Sequence, residues 1–308
     1  MQKVTIIAGP CSVDDKNINE IKEIAEITVR DGEKLKKAVW GTRVVGLKSR
    51  TGWNPSGFGM GMDHEAIISA LSTGDADAIW PSMQIAKQIV TETGLAVATE
   101  IMLQSVQLPL YEKIGIPNGK LLAWNPATNQ LGWPILETAM IAKRNNWLVG
   151  LKNPKWIGEH LNIVEDPAYT KETSFEKQWQ GSVDYASPAD TIVLIHRGVD
   201  VPDKGIYRSP VVHQSAKRVK NSAKRKYPNK DIRLFFDPSH SLGPKMREQI
   251  PAAIVDALKL RNGEEYLYDG LLVETGTSTT DTEQHITLTE LRKVIDEIAK
   301  FRIIMERE

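Results

Sequence analysis

The feature that most narrows the folds open to this chain is an alternation. Eight short apolar runs, at residues 4–8, 44–47, 95–99, 121–124, 148–151, 191–196, 233–236 and 271–273, are separated by stretches with helical spacing of apolar residues. The helical stretches lie near 18–39, 83–93, 105–114, 135–145, 211–226, 251–260 and 288–305, the first with Ile21, Ile24 and Ile27 on one face and then a charged part broken at Gly32. Runs of three to six residues are too short for buried helices and lack the polar alternation of a half-exposed strand, so they read as strands buried on both faces. Buried strands alternating with helices make a parallel sheet covered by helices, either an open doubly wound sheet or a (β/α)8 TIM barrel. The barrel is favoured because polar or ionisable residues follow nearly every run, and only a closed barrel brings those strand ends onto one face. Two long connections stand out. Residues 52–62 carry four glycines, and residues 153–190 are polar and rich in Trp, Asn and Pro; both are expected to be long loops, after strands two and five, the second with a short helix.

Composition limits partners and setting. Thirty-nine basic side chains balance thirty-nine acidic ones, so no net field recruits nucleic acid or an anionic membrane. The basic stretch 217–230 lies in a predicted helix and reads as a solvated outer face. One cysteine cannot form an internal disulfide, and no apolar run is long enough to span a bilayer or to serve as a leader. The expectation is a soluble cytoplasmic protein of one catalytic barrel over 1–308, with no separate regulatory domain.

The strand ends carry two kinds of chemistry. Cys11 follows the first strand, His240 the seventh (in Phe235-Phe236-Asp237-Pro238-Ser239-His240-Ser241), Glu274 ends the eighth, and Asp281 lies in the loop beyond it. Taken singly these are a core thiol, a hydrogen-bonded imidazole and two solvated carboxylates; gathered at one barrel mouth they form a mixed soft and hard donor set. Such a set suits Mn2+, Fe2+, Co2+ or Zn2+ better than Mg2+. The second group is cationic: Arg43, Lys48, Arg50, Lys152 and Arg197 cluster at strands two, five and six, and nothing in their local sequence supplies acids to match. Cations at a barrel mouth suit phosphate and carboxylate, and several of them beside a metal imply a multiply anionic substrate.

Five ordered stretches, Ala8-Gly9-Pro10-Cys11-Ser12-Val13, Arg43 through Lys48-Ser49-Arg50-Thr51, Gly150-Leu151-Lys152-Asn153, His196-Arg197-Gly198 and Asp237-Pro238-Ser239-His240-Ser241, resemble the motifs of the 3-deoxy-arabino-heptulosonate 7-phosphate synthases. The sister family makes 3-deoxy-octulosonate 8-phosphate. The resemblance implies a TIM barrel that condenses phosphoenolpyruvate with erythrose 4-phosphate, with a divalent metal and release of phosphate, as the first step of the shikimate pathway. It further implies that Cys11, His240, Glu274 and Asp281 hold the metal; that Arg43, Lys48, Lys152 and Arg197 bind phosphoenolpyruvate; that Arg50 and Thr51 hold the aldose phosphate; that Lys48, Lys152 and Glu100 serve the chemistry; and that the chain assembles as a dimer or tetramer. Two positions depart from the family. Ser49 replaces a proline, and Trp124 stands where the family has an arginine against phosphate. Related readings are a condensing enzyme of the octulosonate or sialate type with another acceptor, and a phosphometabolite-binding barrel without catalysis.

Overall fold

The structure, a computed structural model, describes residues 2–13, 17–44, 80–127, 129–155, 174–201, 204–278 and 281–307. Eight parallel strands form the barrel: β1 Lys3–Gly9, β2 Gly41–Arg43, β3 Ala96–Glu100, β4 Leu121–Asn125, β5 Leu148–Lys152, β6 Thr191–His196, β7 Asp231–Phe236 and β8 Gly270–Glu274. Each pairs with the next, and β8 pairs back onto β1 from Thr5 opposite Gly270 to Gly9 opposite Glu274, which closes the ring. Helices fill the connections: α1 Ile18–Ala25, α2 Trp80–Thr93, α3 Gln104–Lys113, α4 Gly132–Arg144, α5 Ser174–Ala186, α6 His213–Lys226, α7 Ile250–Lys259 and α8 Leu288–Ala299. The alternation in the sequence is therefore the barrel, and the open sheet is excluded.

Because successive side chains on a strand point to opposite faces, one parity of each strand fills the barrel and the other meets the helices. The inner parity forms its own apolar cluster, including Ile7, Ala98, Leu122, Trp124, Val193 and Leu272, separate from the large cluster between strands and helices. Extending the same parity to the strand ends points Arg43, Glu100, Lys152, Arg197, Asp237 and Glu274 at the mouth. Trp124 and Trp179 are the largest fully buried side chains among the described residues. The neighbour of Trp124 across the β4–β5 ladder is Gly150, where a Cβ would lie 2.7 Å from the Cβ of Trp124. A small residue is needed there to admit the indole.

Several expected elements differ. The charged stretch after α1 is an antiparallel hairpin, Thr28–Asp31 with Lys34–Lys37, turning at Gly32 with φ 62°, and only Val29 in its first strand is buried. It offers one apolar position to the core, too few for a helix. Strand two lies earlier than the apolar run suggested, at Gly41–Arg43, with Val44 N–H donating to Ala98 O at 2.9 Å. Its small and polar residues do not look like a core strand, but Gly41 is needed where β3 runs close, a Cβ there lying 3.0 Å from Ala96 O. The rest of the expected run, with the glycine-rich loop, Lys48, Ser49, Arg50 and Thr51, lies outside the described residues, as does 156–173. Within the segment 153–190 the helix α5 is as long as α4 and anchors itself by the buried Trp179, whose indole donates to Leu151 O at 3.1 Å. The last helix stops at Ala299, and Ile303–Ile304 adds a short strand to the edge of β1 at Lys3 and Val4. Lys220, expected on a solvated face, is fully buried and pairs with Asp269 at 2.7 Å.

Candidate functional site

At the mouth the loop after β1 is stitched to the loop after β8. Ser12 N–H donates to Ser278 Oγ at 3.1 Å, and Asn17 Nδ2 donates to Ser12 O and Thr277 O. This fixes Cys11, fully buried, beside Glu274 and the chain that follows it. After Glu274 the chain leaves the barrel and returns: Ile286 N–H donates to Glu274 O at 3.0 Å and Gly276 N–H to Ile286 O at 3.1 Å, so that Thr275 and Ile286 bridge in parallel. His285 is thereby placed over the end of β8. Donor atoms of Cys11, Glu274 and His285 lie within 4.8 Å of one another, and all three residues are buried.

The other two expected ligands, His240 and Asp281, each approach one member of this group, and neither lies within 4.8 Å of all three. Asp237 caps the short helix Pro238–Leu242 and sits 3.0 Å from His240 Nδ1, while His240 Nε2 faces Glu274 Oε1 at 3.7 Å. Burial pushes the His240 imidazole well below its ordinary pKa, Glu274 opposing and Lys152, Arg197 and Arg208 reinforcing that effect, so the ring is neutral and has a lone pair to give. With Nδ1–H donated to Asp237, that lone pair is on Nε2. Asp281 adopts a left-handed φ of 52°, lies 3.7 Å from Cys11 Sγ by its Oδ2, and is also held by Arg208 at 3.4 Å. His285, Gln284, Arg208 and Asp237 were not singled out from the sequence. The signal for His285 was its place directly after Asp281-Thr282-Glu283-Gln284, an imidazole close in sequence to two candidate carboxylates.

The cations of the mouth prove to have acids, supplied by distant strands rather than by their own neighbours. Arg43 Nη2 pairs with Glu274 Oε1 at 2.9 Å, both side chains fully buried. Burial pulls the Arg43 pKa down, but Glu274, Cys11, Asp237 and Glu100 together hold it above the ordinary value, so it stays charged. Lys152 Nζ lies 3.4 Å from Glu100 Oε2, which also accepts from Trp124 Nε1 at 3.2 Å. The indole face stands under both cations, 5.0 Å from Lys152 Nζ and 5.6 Å from the Arg43 guanidinium carbon. Trp124 thus fills the slot between two cations with a polarisable ring and a donor instead of a third positive charge.

Arg197 is different. Its backbone is pinned by Asn153, whose Oδ1 accepts from Arg197 N–H at 2.7 Å, and its side chain is buried without an ion-pair partner among the described residues. Burial, with Arg208 nearby, lowers its pKa to about 10 against the opposing pull of Asp237, Glu100 and Asp200. A buried, charged guanidinium without a counter-charge is costly unless an anion completes it.

Fold and site together define a (β/α)8 barrel with a buried thiol, imidazole and carboxylate group beside an anion-ready arginine, on the face where barrel enzymes place their chemistry. No protein-family model matches the sequence, and no curated protein does. Among solved structures, the crystal structure of phospho-2-dehydro-3-deoxyheptonate aldolase (DAHP synthase) from Thermotoga maritima aligns with a TM-score of 0.64 at 17% identity, over 97% of this chain and 68% of that one. The two share a fold, and the architecture expected from the motifs is the one found.

Proposed function

We propose that this chain is a metal-dependent condensing enzyme of the DAHP synthase type, joining phosphoenolpyruvate to erythrose 4-phosphate with release of inorganic phosphate. The observation that carries the reading is the meeting, in one barrel mouth, of Cys11, Glu274 and His285 within 4.8 Å with Arg197, a buried cation that has no ion-pair partner among the described residues. A metal site and an anion site side by side are what a reaction between a phosphorylated enol and an aldehyde requires. The barrel shared with DAHP synthase supports it.

The donor set fits a divalent transition metal: thiolate and imidazole suit Mn2+, Fe2+, Co2+ or Zn2+, and each donor lies on a segment tied to its neighbours by hydrogen bonds. A cation held by Cys11 and Glu274, with imidazole and Asp281 beside them, would supply Lewis-acid polarisation of the aldehyde oxygen. The remaining work falls to the protein. Arg197 takes the phosphate or carboxylate of phosphoenolpyruvate, with its charge already desolvated and aimed. Lys152 and Glu100, 3.4 Å apart, hold one mobile proton between them at the mouth, and the Trp124 indole N–H fixes which carboxylate oxygen faces the lysine. Lys48, Arg50 and Thr51 would add the aldose phosphate contacts. Trp124 favours a second reading, in which the acceptor is another aldose or aldose phosphate, because it removes one cation from the mouth.

The test is phosphate release from phosphoenolpyruvate with erythrose 4-phosphate, arabinose 5-phosphate or no aldehyde, each with Mn2+ and with chelator. Release only with erythrose 4-phosphate and metal is expected. Release with arabinose 5-phosphate alone selects the second reading; silence in every arm removes the first, and removes the second as well if phosphoenolpyruvate no longer binds.

A further inference from the structure

We propose that His285 is a metal ligand, so that the site holds two imidazoles, His285 and His240, each facing one oxygen of Glu274. This rests on the metal-dependent reading above and adds to it a residue that the motifs do not contain.

Both rings are presented in the same way. His285 Nδ1 lies 2.8 Å from Gly276 O, a carbonyl that can only accept, so Nδ1 carries the proton and Nε2 the lone pair. That Nε2 faces Glu274 Oε2 at 3.9 Å, whereas His240 Nε2 faces the other oxygen, Oε1, at 3.7 Å. A divalent cation held at Glu274, whose Oε1 also pairs with Arg43 at 2.9 Å, would accept both lone pairs. Each imidazole has the arrangement seen in metal-binding histidines, in which the distal N–H is donated to a carboxylate or a carbonyl and the ring orientation is thereby fixed.

His285 is also held far more firmly than a surface loop residue needs to be. Its own N–H donates to Thr282 O at 3.0 Å, and its carbonyl accepts from Arg247 Nε at 3.0 Å. Arg247 is anchored in turn by Glu290, with one contact at 2.7 Å, and Glu290 closes the capping box that starts α8 with Thr287. Gln284, the preceding residue, donates to Glu274 Oε2. A chain of hydrogen bonds therefore runs from the start of α8 to the backbone of His285, and with Gly276 O holding the ring it positions a ligand before any metal arrives.

A second imidazole changes the chemistry of the site. Two nitrogens and a thiolate favour the later first-row metals, Co2+ and Zn2+, over Mn2+, which prefers oxygen.

The experiment is X-ray absorption on the Co2+-loaded full chain, with Co2+ affinity measured by titration, for the wild type and for His285→Asn and His240→Asn. Asparagine keeps a donor near Gly276 O and lacks the Nε2 lone pair, and melting of the metal-free variant checks its fold. Two imidazoles and one sulfur are expected in the wild type. One imidazole should be lost in His285→Asn, with Co2+ binding weakened at least about 10-fold. A single imidazole that survives His285→Asn and disappears with His240→Asn overturns the assignment, as does a wild type that takes up no metal. Two imidazoles in a chain that releases no phosphate support the assignment and defeat only the proposed reaction.

Discussion

Replacing Arg43 by Met tests the electrostatics of the barrel mouth most directly. The guanidinium and Glu274 are both fully buried and 2.9 Å apart, so the substitution leaves a carboxylate stranded in a site that water does not reach. At an effective dielectric of about 20, opposite charges about 4 Å apart attract by about 4 kcal/mol, and removing one partner of a buried pair costs about 3–5 kcal/mol. Methionine keeps much of the volume over the Trp124 ring, so packing adds little to that loss. The cost should depend on metal. A divalent cation bound at Glu274 replaces the missing positive charge, and the loss should fall to about 1–2 kcal/mol in saturating Co2+. By reciprocity the variant binds metal more tightly by the same difference, about 10-fold or more, since about 1.4 kcal/mol is one decade. Urea unfolding followed by tryptophan fluorescence, with chelator and with Co2+, reads both numbers. An equal loss in the two conditions would falsify the placement of metal at Glu274, and a loss under about 1 kcal/mol in chelator would mean that the pair is not buried as described.

Two further outcomes follow from other parts of the barrel. Gly150→Ala should destabilise the chain by about 1–3 kcal/mol, because the added methyl meets the Trp124 Cβ at 2.7 Å, backbone-adjacent atoms that cannot swing away; pairing it with Trp124→Leu should recover part of the loss, and additivity of the two would show that they do not touch. The second outcome concerns pH. Burial holds His213 at about 4 and His196 well below its ordinary range. An unfolded chain protonates these rings near pH 6.5 while the folded one does not, so stability is complete above that value and declines as pH falls from about 6.5 toward 4. For His213 alone the loss between about pH 7.5 and 5 comes to about 2 kcal/mol, and His213→Gln should flatten the curve by that amount; an unchanged slope would show that the ring is protonated in the fold.

Some of this site is written in the sequence because the strand ends are. Cys11, Glu100, Lys152, Arg197, His240 and Glu274 each follow or end an apolar run, and a closed parallel barrel leaves those positions nowhere to go but the mouth. Parity along each strand then decides which of them point inward. The same reasoning missed β2, whose Gly41, Thr42 and Arg43 contain no apolar side chain; what makes them a strand is the close passage of β3 and not their own preference. It also read the charged stretch after α1 as helix, since a hairpin with a single buried residue, Val29, carries no local signature.

Partnership is what the chain order could not reveal. Arg43 and Lys152 looked like free cations because no acid lies near them in sequence, yet barrel closure sets Glu274 against one and Glu100 against the other, and leaves Arg197 at the mouth as a buried cation without an ion pair among the described residues. His285 entered the site only because the chain after β8 folds back to bridge Thr275 with Ile286. Periodicity and strand-end chemistry are local and can be read from one chain. Charge compensation and ligand convergence depend on distances between segments far apart in sequence, and only the closed barrel sets those distances.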